Sequence, residues 1–384
     1  MKSLIAIALM TATFTALAQT SPLEDPYLWL EEVQGDKALA WVRERNRESR
    51  ATLEKHPRFE PMRARFLEIL DSKEKIPSVT RRGDVFYNLW QDAKNPRGLW
   101  RRTTLAEYRK PQPAWETVLD LDALGAAEKE NWVWKGATCL GPAERKCVLS
   151  LSRGGADASV QREFDTQTLR FVDAKDGGFT LPEAKSSVDW IDDDTLYIGT
   201  DFGPGSLTDS GYPRVIKRWL RGTPLTAAVT VFEAEAKDVA ASVSVDRTPG
   251  FERTVVGRAT DFYNTKSWLL GKDDKLTAID YPSDAGFSFW RERVLIELKS
   301  DWKLAERTWP RGSLLTADAT AYLKGERRFT PLFMPTATRS LSSFTTTRDQ
   351  VLLSILDNVA GRIEEWKADG ATWTKREVQA PFPG

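Results

Sequence analysis

Asp194-Thr195-Leu196-Tyr197-Ile198-Gly199-Thr200 is the stretch that decides the fold, because five other segments of the chain repeat its form. In each segment a polar residue leads into a short run of apolar and β-branched residues, which is typical of a β-strand. The five further runs cover residues 84–90, 146–152, 253–259, 293–299 and 350–356. Most runs are followed, after a loop, by a second strand-like run, at 98–103, 159–164, 213–219, 266–270 and 361–366.

The first runs recur every ~40–60 residues, which is the spacing of four-stranded propeller blades. One small blade cannot bury both of its faces alone, but blades stacked radially cover each other. We therefore predict a mainly β fold, a β-propeller whose inner strands are apolar on both sides and whose outer strands alternate with charge. Six four-stranded blades are recognisable, at roughly 76–119, 131–172, 187–233, 241–280, 285–333 and 341–377. A β-sandwich or an ordinary barrel is the alternative, but neither requires the repeat.

A short α-helical segment is expected before the first blade. Gly35-Asp36 offers a helix start with Asp36 as the N-cap, and the helix should run to about Lys55. Spacings of three and four mark one face of this helix, with Trp41 beside it: Leu39, Val42, Asn46, Ser49 and Leu53. Pro57 and Pro61 should interrupt the helix, and a second short helix should follow on Met62, Phe66, Ile69 and Leu70.

The first 18 residues have the pattern of a cleavable signal peptide. Lys2 supplies a positive charge, residues 4–17 are mostly apolar, and Ala16-Leu17-Ala18 is a small-x-small cleavage site. We expect export to the periplasm or beyond, with no membrane span later in the chain. The predicted organisation is a signal peptide at 1–18, a helical segment at 19–75 and a propeller at 76–384.

Charge bears on nucleic-acid binding, and the cysteine content bears on a possible disulfide. Lys plus Arg number 55 and so do Asp plus Glu, which gives no reason to expect nucleic acid as a partner. The two cysteines, Cys139 and Cys147, flank a turn-like segment and could face each other across a hairpin. In an oxidising compartment a disulfide is plausible, and two half-buried thiols are the alternative.

No residue pattern points to a metal or a cofactor. Asp192-Asp193-Asp194 lacks the spaced oxygen ligands of a calcium loop and is better interpreted as a turn before a strand. The glycine-rich segment at 202–206 lacks the Gly-Lys-Ser/Thr of a phosphate-binding loop. The only histidine is His56, and the nearest approach to a nucleophile motif is Ser288 in Gly286-Phe287-Ser288-Phe289-Trp290, which ends in tryptophan. We therefore assign no catalytic, metal or cofactor-binding residue.

Four motifs together resemble one family. Asp25-Pro26-Tyr27-Leu28-Trp29-Leu30-Glu31-Glu32 resembles the opening signature of the prolyl oligopeptidase family of serine peptidases. Two further motifs follow in the family's order. Residues 150–157 resemble its blade-turn motif, and residues 189–196 resemble the tryptophan–aspartate segment that leads into a strand. The fourth motif consists of Thr200-Asp201-Phe202-Gly203 and Gly211-Tyr212-Pro213-Arg214, which resemble the corresponding segments in a bacterial branch of the same family.

The resemblance implies a seven-bladed propeller that caps an α/β-hydrolase domain carrying Ser, Asp and His. It implies that the N-terminal helices pack on that hydrolase domain, here through Tyr27, Trp29, Leu39 and Val42. Compared with the family, this sequence stops before a seventh blade and before the hydrolase domain, and it contains no Gly-x-Ser-x-Gly. We therefore expect the propeller part of an exported endopeptidase that hydrolyses oligopeptides, inactive by itself. A free-standing periplasmic propeller that binds a partner is the alternative.

Overall fold

The computed structural model describes residues 25–32, 35–370 and 372–379. The chain divides into two compact units, one up to Lys75 and one from Ile76 onward. The predicted signal peptide at 1–18 lies outside the described residues. Within the described ranges, no helix combines the length and the apolar character needed to cross a membrane.

The first unit is helical. It contains a 3-10 helix, Leu28–Glu31, and two α-helices, α1 (Asp36–Leu53) and α2 (Phe59–Leu70). The predicted N-cap at Asp36 is wrong: the cap is Gly35, and Asp36 is the first helical residue, where its charge complements the helix dipole. Pro61 does not interrupt a helix either. It lies in the first turn of α2, where the missing backbone N–H would have had no helical partner.

The second unit begins with three antiparallel sheets, each a blade formed by consecutive strands. Blade 1 contains β1 (Thr80–Arg82), β2 (Val85–Trp90), β3 (Leu99–Thr104), α3 (Leu105–Tyr108), β4 (Glu116–Asp120) and, after its last strand, α4 (Leu121–Glu128). Blade 2 contains β5 (Trp132–Cys139), β6 (Lys146–Arg153), β7 (Ser159–Asp165), β8 (Arg170–Phe171) and β9 (Thr180–Ala184). Blade 3 contains β10 (Ser187–Asp192), β11 (Thr195–Gly199), β12 (Val215–Leu220) and β13 (Val229–Glu233).

Three further blades follow. Blade 4 contains β14 (Ala240–Asp246), β15 (Arg253–Ala259), β16 (Thr265–Leu270) and β17 (Leu276–Ile279). Blade 5 contains β18 (Gly286–Trp290), β19 (Arg293–Glu297), a hairpin of β20 (Trp302–Lys303) and β21 (Thr308–Trp309), then β22 (Leu314–Asp318), α5 (Ala319–Leu323) and β23 (Thr330–Phe333). Blade 6 contains β24 (Arg339–Thr346), β25 (Gln350–Asp357), β26 (Ala360–Asp369) and β27 (Thr372–Glu377). Short 3-10 helices lie at Ala174–Asp176 and Leu225–Ala227.

The predicted β-propeller fold with a helical N-terminal segment is confirmed, with one correction to the extent of a blade. The apolar runs are the second strand of each blade. A second strand is paired on both edges, so β11 and β19 are buried along almost their whole length. Blade 2 extends past its predicted end at residue 172, because β8 has only two residues and β9 pairs with the remainder of β7.

The core of this unit lies between the blades. Aromatic and aliphatic side chains pack between blades 1 and 2, around Trp100 and Leu149, and between blades 2 and 3, around Trp190. Similar clusters join blades 3 and 4, blades 4 and 5, and blades 5 and 6. Each cluster takes residues from two neighbouring blades, so burial of apolar surface holds the blades side by side.

Contacts between neighbouring blades define two ends of the propeller. At the turn end lie the turns between first and second strands, which contact one another: Lys146 pairs with Asp193 at 2.9 Å, and Arg291 pairs with Asp349 at 2.7 Å. At the loop end lie the links between blades and the loops between second and third strands. There the Tyr212 hydroxyl donates to Asp157 at 2.8 Å. The chain enters the propeller at the loop end, because β1 begins there.

Candidate functional site

The loop end carries an exposed aromatic tip on blade 4. Phe262 and Tyr263 lie between β15 and β16 and are 89% and 84% exposed. The loop beneath them is held by Asp261, whose carboxylate accepts from the backbone N–H groups of Tyr263 and Asn264 at 2.7 and 2.9 Å. These bonds lower the pKa of Asp261. The tip therefore displays two large apolar side chains on an ordered turn, which is the form of a contact site.

A polar cluster joins blades 2 and 3 at the same end. The Lys185 ammonium lies 3.2 Å from the Asp157 carboxylate and 4.0 Å from the ring centre of Tyr212. The hydrogen bond from Tyr212 and the charge of Lys185 hold the pKa of Asp157 below its usual value. The same cluster fixes the long loop between β11 and β12, because Lys185 also donates to the Ser210 carbonyl at 3.2 Å.

The helical unit carries a second exposed surface. Tyr27 is 55% exposed and Val42 is 41% exposed, while Trp29 and Leu39 are half-buried. Trp29 packs edge-on against Trp41 with ring centres 6.3 Å apart, and Ala38 is the only buried residue among the described part of this unit. On α2, five apolar residues are at least half exposed: Met62, Phe66, Leu67, Ile69 and Leu70. We call this the α2 surface.

The residues considered for chemistry are not brought together. The Nδ1 atom of His56 accepts from the Arg58 backbone N–H at 3.2 Å, in the exposed segment after α1. Ser288 lies within β18 and not on a strand-to-helix turn. Asp193 and Asp194 pair with Lys146 and Arg221, both at 2.9 Å. Within the described part of the chain, no group of three or more His, Cys, Asp or Glu side chains could hold a metal ion.

The two cysteines face each other in the register of β5 and β6 and are joined as a disulfide. Cys147 is fully buried in the core between blades 1 and 2. The bond therefore ties the first two strands of blade 2 together beside the turn that contacts blade 1, where Arg82 pairs with Glu144 at 2.9 Å.

Comparison with known proteins shows the family to which this propeller belongs. The family model for the N-terminal β-propeller domain of prolyl oligopeptidase matches residues 13–384. The chain belongs to the prolyl oligopeptidase family. The motifs at 25–32, 150–157, 189–196 and 200–214 therefore identified this family correctly from the sequence.

Relatives extend the comparison. An uncharacterised peptidase of Sinorhizobium fredii is 37% identical over 368 residues, which cover 93% of this chain and 50% of the relative. An uncharacterised peptidase of Rickettsia prowazekii is 30% identical over 368 residues, which cover 90% of this chain and 50% of the relative. The chain thus spans about half the length of the curated relatives it matches.

Solved structures agree with the fold. The structure of a post-proline cleaving enzyme from Rickettsia typhi superposes with a TM-score of 0.84 at 29% identity, over 92% of this chain and 53% of that one. A prolyl endopeptidase structure, from a structural and mechanistic analysis of two such enzymes, superposes with a TM-score of 0.69 at 16% identity. The match covers 94% of this chain and 50% of the endopeptidase chain, and it supports the fold alone. This prolyl oligopeptidase propeller is therefore similar to the N-terminal part of two-domain peptidases.

Sequence reasoning missed the aromatic tip at Phe262 and Tyr263. The signal was present, because Asp261-Phe262-Tyr263-Asn264 lies between two strand-like runs and begins with a residue that caps turns. The sequence does not show that both rings remain exposed, since exposure depends on what the neighbouring blades cover.

Proposed function

We propose that this chain is the propeller part of an exported serine endopeptidase that hydrolyses oligopeptides. The observation that carries the proposal is the superposition of nearly the whole described chain on one half of a post-proline cleaving enzyme. In the proposed enzyme the catalytic Ser, Asp and His belong to an α/β-hydrolase domain outside these 384 residues, and the propeller restricts access to them. Cleavage after proline is the specificity that this similarity favours.

The hydrolase domain would pack on the exposed apolar residues of the helical unit. Tyr27 and Val42 are exposed, and Trp29 and Leu39 keep part of their surface accessible. Apolar surface of this kind is stabilised when it is buried, by roughly 25 cal/mol per Å². The aromatic tip at Phe262 and Tyr263 would meet the hydrolase domain or its peptide substrate at the loop end.

The isolated chain should not turn over peptides. Acyl transfer by a serine needs a histidine base within hydrogen-bond reach, and His56 instead accepts a bond from its own backbone neighbour. The test is hydrolysis of a fluorogenic Gly-Pro peptide by the purified chain, with a solved prolyl endopeptidase as the positive control. Turnover that survives further purification would refute the assignment of the triad to another domain.

Sequencing the gene beyond codon 384 tests the peptidase proposal itself. We expect the reading frame to continue into a Gly-x-Ser-x-Gly motif on a strand-to-helix turn. A stop codon directly after codon 384 would favour the free-standing binding propeller instead.

We also propose export through the signal peptide at 1–18. The support is the charged, apolar and small-residue order of that segment together with a disulfide between Cys139 and Cys147. Mass spectrometry of the protein from a periplasmic fraction should give a mature N-terminus at Gln19. Recovery of the intact Met1 form from the cytoplasm would contradict export.

A further inference from the structure

A cavity of about 650 Å³ opens at the turn end, between blades 4 and 5 and beside the first turn of blade 6. Side chains of unequal size line it. Blade 4 contributes the small residues Ser244 and Ser267, while blade 5 contributes Phe287 and Phe289. The volume lies in the range of pockets that bury small ligands.

Arg253 is the most enclosed cation in the lining of this cavity. Its side chain is 16% exposed and stacks on the Phe289 ring at 4.4 Å. Its Nε and Nη2 atoms donate to the carbonyls of Phe251 and Arg291, at 2.9 and 2.6 Å. The nearest carboxylate, Asp246, is 4.0 Å away. Burial lowers the pKa of Arg253, and Asp246 offsets this only in part. An anion in the cavity would therefore relieve an incompletely paired charge.

Two further arginines increase the positive charge. Arg291 has a left-handed backbone, with φ of +53°, a conformation that glycine adopts at lower cost. Backbone strain of this kind is often found at functional sites. Here the side chain of Arg291 lines the cavity and pairs with Asp349. Arg348 also lines the cavity and pairs with Asp349, yet its side chain remains 87% exposed. The lining thus carries three guanidinium groups and one carboxylate, that of Asp246.

The cavity also borders an unpaired strand edge. Blade 5 begins with β18, which pairs with β19 on one side and has no strand partner on the other within the described residues. Ser288 and Trp290 of this strand line the cavity. Free backbone N–H and C=O groups on such an edge bind extended peptides by adding a strand.

We propose that this cavity binds the C-terminal end of a short peptide with an apolar last residue. The terminal carboxylate binds Arg253, with Arg348 and Arg291 adding positive charge. The last side chain packs against Phe287 and Phe289, and the main chain extends along β18. The inference rests on the propeller alone and goes beyond the proposed hydrolytic function, whose failure would leave it unchanged.

A simple inorganic anion fits these observations less well. Arginine binds phosphate and carboxylate alike, but phosphate has no apolar group to pack against Phe287 and Phe289 and no main chain to extend along β18. Phosphate therefore serves as the discriminating probe.

The test is calorimetric titration of the purified 384-residue chain at low salt and neutral pH. The probes are the tripeptide Gly-Ala-Phe as a free acid, the same peptide as a C-terminal amide, Gly-Ala-Gly as a free acid, and inorganic phosphate. We expect saturable binding of the Gly-Ala-Phe acid, with the amide weaker by about ten-fold or more because a charge-assisted bond is lost. Equal binding of acid and amide, phosphate binding as tightly as the peptide, or no binding of the acid would each overturn the proposal.

Variants separate binding from folding. Arg253→Gln and Arg348→Gln should each weaken binding of the acid, Arg253→Gln by about ten-fold. Arg328→Gln is the matched control, because Arg328 is 92% exposed, pairs with a neighbouring carboxylate as Arg348 does, and lies away from the cavity lining. Arg291→Gly should weaken binding while the melting temperature holds or rises, because glycine relieves the left-handed backbone. If Arg253→Gln does not fold, Arg348→Gln and Arg291→Gly still decide: binding unchanged in both would overturn the proposal.

Discussion

Arg221 and Glu163 form an ion pair that joins blades 2 and 3. The Glu163 side chain is 2% exposed, and its two oxygens lie 2.8 and 3.1 Å from the guanidinium of Arg221. Burial lowers the pKa of Arg221, but the bonds from Glu163 and Asp194 outweigh it, and the net pKa is raised. The geometry is bidentate, which makes this pair stronger than the many exposed pairs of the molecule.

Arg221→Ala should lower the free energy of unfolding by about 3–5 kcal/mol, because it leaves a carboxylate buried without its cation. Adding Glu163→Gln to Arg221→Ala should recover part of that loss, since the stranded charge is then removed. Urea denaturation at pH 7 measures both. Arg362→Ala is the control, because its pair with Glu377 is about half exposed on both sides, and it should cost about 1 kcal/mol or less. A double variant as unstable as Arg221→Ala would show that lost packing, not stranded charge, causes the effect.

Glu364 in β26 makes stability depend on pH. Burial raises its pKa, but bonds from Arg339 at 2.8 Å and from the Trp366 indole at 3.1 Å outweigh this, so the folded-state pKa is lowered. The ionised form therefore stabilises the folded chain above the ordinary value of 4.5, and this contribution is lost as pH falls through the folded pKa.

Glu364→Gln should accordingly cost stability at pH 7, by about 1–3 kcal/mol, and progressively less below roughly pH 4.5. Chemical denaturation of both proteins across pH 3 to 7 gives the difference, where ~pH 3 approaches protonation of most carboxyls. Glu377→Gln controls for general acid effects, because Glu377 is exposed. A stability difference between wild type and Glu364→Gln that does not change with pH would contradict the assignment.

Among elements, the second strand of each blade could be predicted from the sequence because burial on both faces and pairing on both edges demand a continuous apolar run. The split between β8 and β9 could not be predicted, because β8 has only two residues and a strand of that length shows no alternation of apolar and polar residues. The α-helices were found from apolar spacing, but the cap at Gly35 depends on backbone geometry. Pro61 was misjudged because a proline in the first helical turn has the same sequence appearance as a break.

The sheets should differ in local stability despite similar hydrogen bonding. Blade 3 packs against apolar clusters on both sides, whereas the described clusters reach blade 6 from blade 5 only. On its other side, blade 6 borders a cavity of about 720 Å³. Polar and charged residues line this cavity: residues 347–350 and Lys367 of blade 6, and Arg81 of blade 1. Fewer apolar contacts favour local opening.

Hydrogen exchange should therefore be faster in β25 than in β11, by about ten-fold or more. Both are second strands paired on both edges, and β25 has the longer ladder, with eight residue pairs to its next strand against five for β11. Strand pairing alone would predict the opposite order. Mass spectrometry of peptides covering the two strands decides, and equal or greater protection of β25 would contradict the dependence on inter-blade packing.

At the scale of the whole molecule, the sequence identified the family and the fold but not the contact sites. The cavity around Arg253 is lined by Ser244 and Ser267 of blade 4 and by Phe287 and Phe289 of blade 5. Which residues face each other depends on strand register and on the stacking of blades, and neither can be read from one run. The apolar residues of the helical unit were predicted, and their exposure follows from how little of that unit packs against itself.

The exposed α2 surface should make the isolated chain associate with itself. Met62, Phe66, Leu67, Ile69 and Leu70 are 50–68% exposed on one short helix, and apolar patches of this kind are uncommon on monomers. Changing Phe66 and Leu70 to lysine should shift the chain toward monomer without a loss of folding, because neither side chain belongs to a core. Phe262→Lys is the control, since it removes an even more exposed ring from a loop tip outside the α2 surface. Light scattering over a concentration series measures the association. A native chain that stays monomeric, or a Phe262→Lys variant that restores the monomer as fully as the α2 change, would contradict the role given to this surface.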